Sequence, residues 1–98
     1  MLFAVTASYS AENRNGIAQR FVSVLEEGEL PSGVSLVCRY HSTATRWAVM
    51  VLETDSSAGI HLWAAKFNDL VDFDIHPVET EDSIQPIVEA ILERSKKN

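Results

Sequence analysis

Apolar residues follow two rhythms along this chain, and the elements change where the rhythm does. From Arg46 to Thr54 six apolar residues stand in a row, Trp47 to Leu52, between Ser42-Thr43-Ala44-Thr45 and Asp55-Ser56-Ser57. A short run with valines and an aromatic, bounded by loop and cap residues, predicts a strand rather than a helix. Because it does not alternate, both its faces must be covered, which makes it central. Leu2–Tyr9 has little polarity before Thr6 and predicts a first strand of the same kind.

Two other stretches alternate. In Val34–His41, Val34, Leu36, Cys38 and Tyr40 fall on one face, and Ser35, Val37, Arg39 and His41 on the other. In Leu70–Val78, Val71, Phe73 and Ile75 oppose Asp72, Asp74 and His76, and Pro77, which lacks a donor, belongs at an edge or a strand end. Alternation marks both as edge strands. Helical spacing appears between and after them: Ile17, Phe21, Val24 and Leu25; Ile60, Trp63, Ala64 and Phe67; Ile84, Ile87, Val88, Ile91 and Leu92. The first helix has Ser10 or Asn13 as cap and stops near Glu27 at Gly28 and Pro31. Asp55 is the expected cap of the second. The third starts at Asp82 or Ser83, since Pro86 tolerates only a first turn, and frays over Lys96–Asn98.

The order is β-α-β-β-α-β with an added C-terminal helix, a single ferredoxin-like α+β domain over residues 1–98 with an antiparallel sheet. That topology puts the first and third strands in the centre, in agreement with their polarity. If Ser42–Thr45 form the hairpin loop, His41 pairs with Arg46, Tyr40 with Trp47, Cys38 with Val49 and Leu36 with Val51. Two helices then cover one face and leave Leu2, Ala4, Ala48, Met50 and Leu52 on the other, each large apolar group losing roughly 1.5–3 kcal/mol in water. A second copy placed sheet against sheet is the simplest cover; the C-terminal helix folded across the face is the other.

Composition narrows the function classes. A net charge of −6 and an isoelectric point near 4.9 disfavour nucleic acid, anionic membranes and acidic substrates. They also disfavour an RNA-recognition module, which shares the element order but carries aromatic and basic groups on its third strand. One cysteine excludes an internal disulfide and suits a reducing cytoplasm, and no apolar run approaches the roughly 18 residues of a membrane helix.

The candidate chemistry is polar and sits around small residues. Ala4, Thr6, Ser8 and Ala48 leave volume on the sheet face away from the helices, and Arg39, His41, Asp72, Asp74 and His76 surround it. Convergent polar groups around such a volume would orient a small molecule inside a dimer. The plainer reading, favoured because a fold alone does not establish function, is solvated or interfacial charges on edge strands that discourage aggregation. Asp72-x-Asp74-x-His76 offers ligands for zinc, manganese or iron, but any exposed edge strand produces such triplets, so no metal or cofactor is assigned. Cys38, Trp47 and Trp63 read as core, and His61 as surface.

The opening Met1-Leu2-Phe3-Ala4-Val5-Thr6, Glu12-Asn13-Arg14, Arg39-Tyr40-His41, Trp63 and Asp69-Leu70-Val71-Asp72-Phe73-Asp74-Ile75-His76-Pro77-Val78 resemble a family of small bacterial proteins known only as a domain of unknown function. That family is related in fold to the dimeric α/β barrel group. It tends to have a glycine-containing turn after the histidine, where this chain has Ser42–Thr45. The resemblance implies the fold and a barrel-like homodimer, and no established activity. Three classes stay open: a binding module for a small molecule or protein partner, a cofactor-independent monooxygenase or isomerase with His41 as base and Arg39 holding an anion, and a purely structural protein.

Overall fold

The computed structural model describes residues 1–97; Asn98, part of the tail expected to fray, lies outside them. Strands β1 (Leu2–Ser8), β2 (Ser35–Ser42), β3 (Trp47–Glu53) and β4 (Asp72–Val78) and helices α1 (Arg14–Glu27), α2 (Ser57–Ala64) and α3 (Gln85–Lys96) follow in the order β1-α1-β2-β3-α2-β4-α3. The strands form one antiparallel sheet in the order β2-β3-β1-β4, so the two apolar strands are central, as their lack of alternation predicts.

Local chemistry sets the boundaries. α1 ends where Gly28 takes φ 95°, a conformation that costs other residues energy, and Pro86 stands in the first turn of α3. Neither Ser10 nor Asn13 caps α1 through its side chain; Asn13 Nδ2 instead donates to the Leu70 carbonyl at 3.2 Å. Asp55 does not cap α2 either. It faces the N-terminal ammonium of Met1 at 3.4 Å, while Ser56 takes the cap position and donates its amide to Thr54 Oγ1.

β1 faces as expected and β3 is reversed: Leu2 and Ala4 lie on the free face, whereas Ala48, Met50 and Leu52, expected beside them, face the helices. Phe3, Val5 and Ala7 of β1 and Ala48, Met50 and Leu52 of β3 are buried under α1 and α2, together with Val24, Ile60, Trp63 and Phe67. Leu2, Ala4 and Thr6, paired with Glu53, Val51 and Val49, lie on the free face. An unbroken apolar run in β3 carries no phase, so periodicity could not choose which of its faces meets the helices. Trp47, expected in the core, is on the free face and 40% exposed, whereas Trp63 is 1% exposed.

The hairpin register also differs. Ser42 pairs with Trp47, His41 with Ala48 and Tyr40 with Val49, two residues on from the expected pairs, because Thr43–Thr45 form the turn and Arg46 closes it at φ 58°, ψ 52°. A slip of two preserves the faces. A bulge does not: Leu36 pairs with Leu52 and Cys38 with Val51, leaving Val37 over. Leu36 therefore joins the core, and Cys38, expected there, is half-buried on the free face. α3 covers neither face. Every described residue from Glu79 to Lys97 is exposed, and the main contact of α3 is with the short turn Glu81–Ser83 that precedes it. No helix among the described residues is long and apolar enough to cross a membrane.

Candidate functional site

A cavity of about 400 Å³ opens between α1 and the helix-covered face of the sheet. Its floor comes from strand residues whose side chains are too small to reach the helix, Ala7 and Ala48, with Met50 beside them. Its aromatic walls are Phe21, Trp63, Phe67 and Phe73; the Trp63 and Phe73 ring centres are 5.0 Å apart. Arg14, Ala18, His41 and Thr43 are exposed lining residues and so define the mouth, with Tyr9 half-buried among them. The shape follows from sequence: alanines at facing positions of β1 and β3, under a helix whose first two turns offer Ile17 and Ala18, leave space that larger residues would fill.

One wall is fixed by a buried ion pair. Arg39 donates from Nη1 and Nη2 to Glu29 Oε2 and Oε1 at 2.6 and 2.8 Å, and Trp63 Nε1 donates to Glu29 Oε2 at 2.9 Å. The Arg39 guanidinium also lies 5.3 Å from the Phe21 ring centre. Burial alone would raise the Glu29 carboxyl pKa. The hydrogen bonds from Arg39 and Trp63 and the charges of Arg39 and Lys66 outweigh it and hold the group below its ordinary 4.5. Lys66 closes the arrangement by donating to the Gly28 and Glu29 carbonyls at 3.0 and 2.6 Å. Arg20 ties α1 to the segment after α2 through both carboxylate oxygens of Asp69, and these hydrogen bonds lower the Asp69 pKa.

The candidate residues read from sequence therefore separate. Arg39 and His41 reach the cavity on the helix side; Thr6, Asp72, Asp74 and His76 lie on the free face, where Thr6 pairs with Asp74 and Ser8 with Asp72. Arg39 is not a free anion holder, since Glu29 occupies both ends of its fork. His41 meets Phe21 edge to face at 5.9 Å. On the free face His76 Nε2 approaches Asp74 Oδ1 at 3.1 Å, both well exposed, and among the described residues no group of three His, Cys, Asp or Glu is placed to hold a metal ion. Sequence reasoning missed Glu29, Arg14 and Tyr9. Nothing in Glu26-Glu27-Gly28-Glu29 distinguishes the last glutamate except its place after the glycine that turns the chain back inward.

Over residues 1–92 the chain matches the family described as "Domain of unknown function (DUF3303)". No curated protein matches it. Among solved structures it is similar to one described as a putative antibiotic biosynthesis monooxygenase from Deinococcus radiodurans, with TM-score 0.50 and 14% identity over 82% of this chain and 94% of that one. It is also similar to a conserved protein from Methanosarcina mazei Go1, with TM-score 0.51 and 12% identity over 81% of this chain and 94% of that one. At such identities the likeness establishes a shared ferredoxin-like α+β fold and carries no chemistry with it.

Proposed function

The chain belongs to the DUF3303 family, whose domain has no known function, and we propose that it is a small-molecule-binding module that works as a homodimer. The observation that carries the reading is the cavity itself: about 400 Å³, walled by aromatic and aliphatic side chains, with Arg14, His41 and Thr43 exposed at its mouth. That is the size and lining of a site for a compact ligand. A gap of this size with no occupant would forfeit packing that Leu or Phe at position 48 could supply. The single cysteine suits a cytoplasmic setting.

The dimer reading rests on the free sheet face and α3, both without cover in one chain. Thr6, Asp72, Asp74 and His76 then lie between copies as interfacial polar groups, not as part of the cavity. A thermal-shift screen of metabolites tests the binding reading: a ligand at about 100 times its dissociation constant adds roughly 2.7 kcal/mol. Ala48→Leu, which fills the floor, should abolish that shift without changing the solution mass. A screen in which no compound stabilises the wild-type protein sinks the proposal.

His41 in the cavity wall favours a second reading, a cofactor-independent monooxygenase or isomerase in which its imidazole takes a proton from the bound molecule. Under this reading His41→Ala leaves ligand affinity near the wild-type value and removes turnover of any compound the screen finds; under the binding reading it weakens affinity alone.

A further inference from the structure

We infer that the cavity selects flat hydrophobic molecules carrying one negative charge, held at the mouth by Arg14; the inference rests on the binding reading above. The lining decides the sign. None of the fourteen acidic residues of the chain lines the cavity, although the protein as a whole carries an excess of them. Its charged or titratable lining residues are Arg14, Arg39, His41 and Tyr9. Arg39 is neutralised by Glu29. Arg14 has no ion pair and no side-chain hydrogen bond among the described residues.

Its position sharpens the case. Arg14 is the first residue of α1, where the helix dipole already presents positive charge; its own amide donates to the Ala11 carbonyl of the preceding turn, and no side-chain oxygen of Asn13 caps that end. A cation there is electrostatically misplaced unless an anion joins it. The aromatic walls supply the other half of the recognition: they offer apolar contact to a ring body, and no carboxylate is available to receive a cationic group. The ligand class is therefore an aromatic carboxylate or a molecule of equivalent shape and charge.

The probes are 2-naphthoate, its neutral counterpart 2-naphthamide and the cationic 2-naphthylmethylammonium, titrated calorimetrically at low salt against the full chain. The naphthoate should bind about tenfold more tightly than the amide, and the ammonium most weakly. Arg14→Gln should bring the naphthoate down to the amide's affinity and leave the amide's unchanged, and Arg14→Lys should restore part of the preference. Arg14 is exposed, so an unchanged amide affinity also reports an intact fold. Equal binding of naphthoate and amide, or a preference that survives Arg14→Gln, overturns the inference and leaves the cavity as a binding site. Failure of all three probes to bind overturns the inference, and the metabolite screen above then decides whether the binding reading beneath it stands.

Discussion

Glu29 is the residue whose removal should cost this fold most. Its carboxylate is 7% exposed and satisfies the Arg39 fork and the Trp63 indole together. Glu29→Gln keeps an acceptor for Trp63 but leaves the Arg39 charge buried without a counterion, which should cost about 3–5 kcal/mol in urea unfolding. Replacing both, Glu29→Leu with Arg39→Met, should restore stability to within about 1 kcal/mol, because a buried pair stabilises little relative to apolar residues of similar volume. The same pair sets an acid limit. Since the folded carboxyl titrates below its ordinary value, its contribution is complete above about pH 4.5 and is lost as the pH falls through the lowered value. The double variant should therefore unfold over a shallower acid slope than the wild type; an identical slope would remove Glu29 from the account. Arg46 is a second local test. It holds φ 58° at the hairpin turn, where a non-glycine residue costs roughly 1–2 kcal/mol, and its Nε is buried with no partner. Arg46→Gly should raise unfolding stability by about 1 kcal/mol, less the entropy that glycine adds to the unfolded chain.

At the scale of elements, strand polarity was enough to order the sheet and strand phase was not enough to orient it. β1 and β3 read as largely apolar on both faces, and that is what made them central; in β3 the lack of any alternation also hid which face meets the helices, whereas β1, with Thr6 and Ser8 on its free face, was oriented as expected. The Val37 bulge was hidden for a related reason, since one inserted residue leaves composition unchanged while moving Leu36 and Cys38 to opposite faces. The cavity could not be foreseen because it needs Ala7 and Ala48 beneath α1, and the sequence had placed Ala48 on the other side. The orientation makes a paired prediction within β3. Met50 is 4% exposed under the helices, and Met50→Ala should cost about 2–5 kcal/mol at any protein concentration. Val51, its neighbour on the free face, should behave differently: Val51→Asp should leave a folded chain and lower stability in a concentration-dependent way, as expected if a second copy covers it.

At the scale of the whole molecule, one chain exposes too much surface for its mass. A folded monomer of 10.9 kDa should expose about 5,600 Å², and this one exposes 6906 Å². Its radius of gyration is 16.8 Å against about 13 Å for a compact domain of this length, and its longest extent is 54 Å. The excess, about 1,300 Å² per copy, is above the roughly 800 Å² that each partner contributes to a standard interface. Much of it is chemically suited to burial, since Ile87, Val88, Ile91 and Leu92 of α3 are 44–62% exposed on one stripe, and Tyr40 and Trp47 stand out from the free sheet face. A helix this short and this amphipathic is marginal alone in water, so its persistence calls for a partner surface. In the proposed homodimer a second copy would supply one, with each α3 lying against its partner. Wild-type protein in dilute buffer should then show twice the 10.9 kDa chain mass by light scattering. Ile87→Asp with Ile91→Asp should bring the mass to one chain and reduce helical circular dichroism, while Trp63 fluorescence keeps the signature of a buried indole. A wild-type mass of one chain would leave α3 without a partner and the dimer without support; a double variant that stays dimeric would confine the interface to the sheet.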